Sequence, residues 1–239
     1  MKKPVKLVLW GLGIVLVLLF FAGVLFYINF RRATRVMTPA ETGSLNDSVW
    51  CIKDRFVNAF IFKGTSNYLM VDAGIGESNF KKELEKIRID PDRITTLLLT
   101  HTDGDHIGAT RLFKSAVIYM HKAEKQMIDG TTGKTRMSKT IWKFGPYHLL
   151  SDNDTLLIDG LNIRIIHTPG HTPGSSCYII GKDYLVTGDN LMFSNGKYEH
   201  FLERFNMNTP EEIESIKKLP DPTKFRYILT GHNGITRIR

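Results

Sequence analysis

His101, Asp103, Asp105 and His106 crowd four metal-capable side chains into six positions, within Thr100-His101-Thr102-Asp103-Gly104-Asp105-His106-Ile107-Gly108. Imidazole nitrogens and carboxylate oxygens are ligands for divalent cations such as zinc and manganese. Gly104 and Gly108 let the backbone coil tightly enough for these groups to converge. Taken alone, an HxDxDH string reads equally well as a solvated polar turn. Three further turns weigh against that: His167-Thr168-Pro169-Gly170-His171, Thr187-Gly188-Asp189-Asn190 and Thr230-Gly231-His232-Asn233-Gly234.

Each of these turns needs an element to hold it. Ile94 to Leu99 is a short apolar run after the Pro91-Asp92 turn signal, which reads as a buried strand running into the first cluster. Phe56 to Phe62 and Tyr68 to Val71 are strand-like, the second ending at Asp72-Ala73-Gly74. Ser78 to Ile89 reads as a helix with Ser78 as N-cap, and Asp105 to Lys114 as another helix, followed by a strand from Ala116 to Met120. Glu124 to Phe144 is basic and polar, carrying Lys134, Arg136, Lys139, Trp142 and Lys143. A solvated insertion bordering a pocket is its expected form. Thr155–Ile158 and Leu161–Ile166 flank Asp159-Gly160 as a hairpin. Cys177–Ile180, Tyr184–Val186, a helix over 210–218 and Tyr227–Leu229 complete the set. One device recurs: an apolar strand, then a glycine-bearing turn that presents His or Asp.

The first 36 residues belong to a different physical world. Lys2, Lys3 and Lys6 precede an uncharged run from Leu7 to Phe30, closed by Arg31, Arg32 and Arg35. That run exceeds the roughly 20 residues that span a bilayer, and Trp10 and Tyr27 sit near its ends as interfacial aromatics do. A cleaved signal peptide would have an apolar region of only about 7–15 residues and a small-residue cleavage site. An uncleaved anchor is the expectation. Three basic residues on each side leave orientation undecided, and the short head before the span favours an extracytoplasmic domain. Residues 1–36 hold six basic and no acidic residues, leaving 26 Lys+Arg against 24 Asp+Glu in residues 37–239, so the formal net charge of +8 describes mainly the anchor's flanks. Nucleic acid is therefore a disfavoured partner. Residues 37–49 read as a polar linker, and 50–239 suffice for one sizeable core. Cys51 and Cys177 make no disulfide framework.

With Asp72 in VDAG, His101 to His106 in HxDxDH, His171 in HTPGHTPGS, Asp189 in TGDN and His232 in TGHNG, residues 50–239 resemble the metallo-β-lactamase-fold hydrolases. The resemblance implies an α+β fold, a four-layer αββα sandwich preceded here by one transmembrane helix. It implies two divalent metal ions, one held by His101, Asp103 and His171, the other by Asp105, His106 and His232, with Asp189 bridging and Asp72 supporting from behind. Asp105 and Asp189 would be the catalytic carboxylates. Two cations sharing a water lower its pKa from about 15.7 toward 7, giving a nucleophile for a carbonyl ester, thioester, lactone or β-lactam of a small-molecule substrate. The resemblance also makes the Phe193–Asn208 loop a groove wall, with Lys197, Tyr198 and Arg204 as candidate substrate contacts.

Asp103 departs from the family pattern, where histidine is usual. Zinc is favoured as the metal, and the added carboxylate keeps iron or manganese open. Two other functions remain in view: diiron redox chemistry on oxygen or nitric oxide, and phosphodiester cleavage on the same fold. His121, His148, His167 and His200 read as surface or structural histidines.

Overall fold

In the computed structural model, which describes residues 3–134 and 142–239, the apolar runs become the strands of two sheets. The first sheet takes β1 (Gly43–Asn46), β2 (Val49–Asp54), β3 (Val57–Lys63), β4 (Tyr68–Val71), β5 (Ile94–Leu98), β6 (Val117–His121) and β7 (Tyr147–Leu150) in sequence order. Its first four strands are antiparallel neighbours; β4 to β7 run parallel. The second takes β8 (Thr155–Ile158), β9 (Leu161–His167), β10 (Ser176–Ile180) and β11 (Tyr184–Gly188), continued by β14 (Tyr227–Thr230) and β15 (Gly234–Arg237). A separate hairpin, β12 (Met192–Ser194) and β13 (Lys197–Glu199), lies between β11 and β14 in sequence.

Strand alternation explains the layering, because successive side chains point to opposite faces. Phe60 and Phe62 of β3, with Leu69, Val71 and Leu98, pack against Ile163, Ile165, Tyr178, Ile180, Val186 and Leu229 of the other sheet. Their neighbours Ala59, Ile61, Met70 and Leu97 face outward onto Phe80 and Leu84 of α2 (Glu77–Lys86). Ile166, Cys177 and Leu185 face outward from the second sheet, beside Leu219, Phe225 and Ile216 of α5 (Thr209–Ile216). Helix, sheet, sheet, helix: this is the αββα sandwich. Tyr178 crosses the seam, fully buried, its hydroxyl donating to the Leu99 carbonyl at 2.9 Å.

Several elements differ from the sequence expectation. Gly43–Asn46, read as linker, pairs with β2 as an edge strand, and the Ala40 backbone is tied to the Asn58 side chain at 2.8 and 2.9 Å. α2 starts at Glu77 after Gly76, with no side-chain cap. Asp54 of β2 instead fixes the loop just before the helix, accepting from the Ile75 and Gly76 amides at 2.7 and 3.1 Å. The helix expected over 105–114 is one turn, α3 (Gly104–Ile107), then a 3-10 turn at Thr110–Leu112. Gly108 and Ala109 instead donate to Gly74 and Ala73 at 2.7 and 2.8 Å. A Cβ on Gly108 would overlap the Ile75 backbone, so glycine is what lets this turn lie flush on the Asp72–Gly76 loop. A last one-turn helix, α4 (Lys125–Ile128), follows β6. Arg136 and Lys139 lie outside the described residues.

Residues 1–37 form a unit of their own, with Thr38–Arg239 as the other. The first is α1 (Lys3–Thr34), within which Trp10–Arg32 is 23 residues long with mean hydropathy 2.7, long and apolar enough to cross a membrane. Cys51 and Cys177 are free and buried, and burial pushes both thiols up to about 12.

Tyr178→Phe leaves the buried Leu99 carbonyl without its donor. The expected loss is about 1–3 kcal/mol of unfolding free energy, read by urea titration. A change under about 0.5 kcal/mol would show that the hydroxyl bond contributes nothing net.

Candidate metal centre

The turns expected to carry chemistry all leave the carboxyl ends of strands: Asp72 after β4, residues 99–106 after β5, His171 after β9, Asp189 after β11 and His232 after β14. Main-chain bonds knit them into one edge. Ser176 donates to Thr100 at 2.9 Å, Gly231 to Gly188 at 2.9 Å, and Ala73 to His106 at 2.7 Å. Asp72 adopts φ +60°, a left-handed conformation that aspartate tolerates better than most residues.

Four imidazoles are oriented in the same way. His106 Nδ1 is 2.8 Å from Asp72 Oδ2, His101 Nδ1 3.0 Å from Thr100 Oγ1, His171 Nδ1 3.0 Å from Asn206 Oδ1, and His232 Nδ1 2.7 Å from the Phe56 carbonyl. Asp72 also accepts from the Thr100 amide and hydroxyl, both at 2.8 Å. The Thr100 hydroxyl thus donates to Asp72 and accepts from His101. Each ring is held with Nδ1–H as donor, which turns the lone pair of Nε2 inward.

What those lone pairs meet is carboxylate. Asp189 Oδ2 lies 2.9 Å from His232 Nε2, 3.5 Å from His171 Nε2 and 3.9 Å from His101 Nε2, while Oδ1 is 3.1 Å from His106 Nε2. Asp103 Oδ2 is 3.2 Å from His171 Nε2 and 3.5 Å from His101 Nε2, and Asp105 Oδ2 is 3.5 Å from His232 Nε2. Two groups have ligand atoms within 4.8 Å of one another: Asp105, His106, Asp189 and His232, then His101, Asp103 and His171. His101 Nε2, His106 Nε2 and Asp189 Oδ1 are buried with no hydrogen-bond partner. Between these rings and carboxylates acceptor faces acceptor, an arrangement that suits protons or cations at the centre. Burial alone would raise the Asp189 carboxyl, but His106 and His232 outweigh it and hold it well below the usual range. Burial opposes charge on His106 too, yet Asp189, Asp72 and Asp105 drive it well above an ordinary histidine. The residues present fit a pair of divalent cations.

Asp103 sits at the position before α3 but makes no capping bond; its carboxylate faces the histidines. Three residues at the site were not singled out as site residues in the sequence. Lys134 comes from the basic loop, its ammonium on Asp103 Oδ2 and 2.8 Å from His171 Nε2. Glu212 is buried in α5, bonded to Asn206 behind His171, and burial pushes its carboxyl up to about 8. Glu124 accepts from Thr102, Thr172 and Gly174. None falls in a motif, and only the basic character of 124–144 hinted at Lys134.

The proposed substrate contacts are placed elsewhere. The Tyr198 hydroxyl donates to the Pro220 carbonyl at 3.0 Å and its ring packs on Phe193. Lys197 and Arg204 are exposed. Among the described residues, none of the three makes a hydrogen bond, ion pair or ring contact with His101, His106, His171 or His232. His167 stacks on His121 at 3.7 Å and holds Pro173 through Nε2 at 2.9 Å; burial, with His167 and Lys122, pushes His121 down to about 4. His148 stacks on Tyr119, and His200 bonds the Phe201 carbonyl at 2.8 Å.

An αββα sandwich with imidazoles and carboxylates converging along one edge defines a metal-binding scaffold. The metallo-beta-lactamase superfamily model matches residues 52–232. A probable metallo-hydrolase of Methanocaldococcus jannaschii is 30% identical over 154 residues, 64% of each chain. The hydroxyacylglutathione hydrolase of Salmonella arizonae is 32% identical over 127 residues, 53% of this chain and 44% of its own. The chain thus spans from under half to under two thirds of the length of these relatives. A solved structure described as the first B3 metallo-beta-lactamase with an active-site glutamic acid superposes with a TM-score of 0.63 at 15% identity, covering 87% of this chain and 85% of its own. The chain belongs to the metallo-beta-lactamase superfamily.

Asp72→Ala removes the carboxylate behind His106 and is expected to weaken divalent-cation binding about 10- to 100-fold, read by calorimetric titration. Lys134→Met removes a positive charge in contact with Asp103 and should tighten cation binding by His101, Asp103 and His171. Unchanged affinity in that titration would show that the ammonium moves aside without cost.

Proposed function

We propose that the domain is a two-metal hydrolase of carbonyl compounds, an ester, thioester, lactone or β-lactam, attached to a membrane by α1. The observation that carries this is Asp189, buried with one oxygen in reach of both ligand groups. In this reading His101, Asp103 and His171 hold one cation, Asp105, His106 and His232 the other, and Asp189 is shared. Such a pair of cations lowers the pKa of a shared water toward about 7 and polarises a scissile carbonyl. The chain's own groups do the rest. Asp72, Thr100, Asn206 and Phe56 keep the rings in the tautomer that offers Nε2. Asp105, with a side chain 25% exposed against 19% for Asp103 and 4% for Asp189, is the most solvent-open of the three carboxylates and would take the proton released by the attacking water. Zinc suits the four imidazoles, and the third carboxylate, Asp103, leaves manganese and iron as competitors. The name of the Salmonella relative, a hydroxyacylglutathione hydrolase, favours acyl over phosphoryl substrates. The uncharged run of α1 up to Phe30, within an apolar span of 23 residues, supports attachment to a bilayer.

The full chain purified in detergent, analysed for metal content and offered chromogenic carbonyl and phosphate esters, tests this. Zinc with carbonyl-ester hydrolysis is expected. Asp189→Ala should lower kcat/KM at least about 100-fold, near 2.7 kcal/mol of transition-state stabilisation. Iron with near-ultraviolet oxo-bridge absorption and no hydrolysis would point to the redox alternative instead. Metal removal should also lower the melting temperature, since cations bind only the folded chain. At free metal about 100 times Kd the expected fall is about 5–10 °C. An unchanged melting temperature after verified removal contradicts the ligand set.

A further inference from the structure

Glu124 follows β6 at the end of a 3-10 turn, fully buried, and forms no ion pair among the described residues. A carboxylate taken from water without a cation is costly unless hydrogen bonds replace its solvation. Four do. Oε1 accepts from the Thr102 amide at 2.8 Å and the Thr102 hydroxyl at 2.7 Å. Oε2 accepts from the Thr172 hydroxyl at 2.8 Å and the Gly174 amide at 3.0 Å. The donors belong to two segments only. Thr102 stands between His101 and Asp103, and Thr172 directly follows His171. Those three neighbours are the members of one ligand group. None of the four bonds reaches the turns that carry Asp189 and His232. The second segment also lies directly on Glu124, since any side chain at Gly174 would overlap the Glu124 backbone.

We infer that Glu124 is a positioning residue for one half of the centre: it fixes His101 and Asp103 against His171 and so sets the cation affinity of that group alone. The inference rests on the two-metal reading above. One carboxylate clamps both ligand-bearing loops, so losing its charge frees the separation between them. Glu124 makes no bond to the rings of His106 or His232, which are held by Asp72 and the Phe56 carbonyl, so the group of Asp105, His106, Asp189 and His232 keeps its geometry.

The test compares the full chain in detergent with Glu124→Gln and Glu124→Asp. Zinc per chain is measured at buffered free zinc, cobalt-loaded protein is examined for its visible d–d bands, and metal-free protein is melted. Wild type should take two zinc ions. Glu124→Gln should take one under the same conditions, with Kd of the weaker site raised about 10- to 100-fold and only part of the cobalt spectrum lost. Glu124→Asp keeps the charge on a shorter arm and should fall between. Two zinc ions in Glu124→Gln, each held within about two-fold of wild type, overturn the inference. So does equal weakening of both sites alongside a collapse of the metal-free melting temperature, the mark of a residue that only supports the fold. If Glu124→Gln does not fold, Glu124→Asp decides between selective and equal weakening on its own. A wild-type chain that takes fewer than two ions removes the two-metal reading itself, and this inference with it.

Discussion

Buried acceptors facing acceptors are the constraint on which the rest of the domain depends. Asp189, Asp103 and Asp105 meet the Nε2 lone pairs of His101, His106, His171 and His232 in a pocket where several of these atoms have no hydrogen-bond partner. Uncompensated groups of this kind cost several kcal/mol in a protein interior. A chain keeps them only where surrounding structure over-determines their positions and where positive charge, from protons or cations, fills the space between. The same field explains why Asp189 is held acidic while His106 is held basic.

Over-determination is visible behind every ring. Asp72, held at positive φ by the turn after β4, binds both the Thr100 backbone and His106. That single side chain ties the end of β4 to the end of β5. Gly108 brings α3 against the same turn, so His106 cannot drift along its helix. On the opposite side Asn206 holds His171 and is itself held by Glu212 from α5. The outer helices therefore do more than cover sheet faces. Each sends a polar group inward, or braces one, at the strand ends.

Strand ends and the converging His and Asp side chains were legible in the sequence because they depend on local pattern: a short apolar run, then glycine beside His or Asp. β4, β5 and β9 stand within a residue or two of expectation for that reason. What failed depends on contacts far apart in sequence. Nothing near Ser78 says that Asp54 of β2 will hold the loop before α2, and nothing near Asp105 says that the next amides will bond Ala73 and Gly74. Glu124 fell within a stretch read as a solvated insertion, and Glu212 drew no reading, because sequence carries no record of burial for a lone glutamate. Tyr198, placed on a groove wall by family resemblance, donates its hydroxyl to a backbone carbonyl 22 residues away, a bond equally invisible in the sequence.

Asp103 and Lys134 raise a question of charge that geometry helps to answer. Asp103, Asp105 and Asp189 carry one negative charge fewer than two divalent cations carry positive. An ionised water would complete neutrality, leaving an inner centre with no net charge to draw an anionic substrate. Lys134 changes that balance, since its ammonium lies against Asp103 with a side chain 22% exposed, beside a carboxylate 19% exposed. In a partly desolvated site a unit charge at contact distance is felt at an effective dielectric nearer 20 than 80. The lysine is therefore a substantial part of the local potential on the solvent side of His101, Asp103 and His171. Its ammonium lies on both Asp103 and His171 Nε2, so the lysine supplies part of the positive charge that this cluster of acceptors calls for.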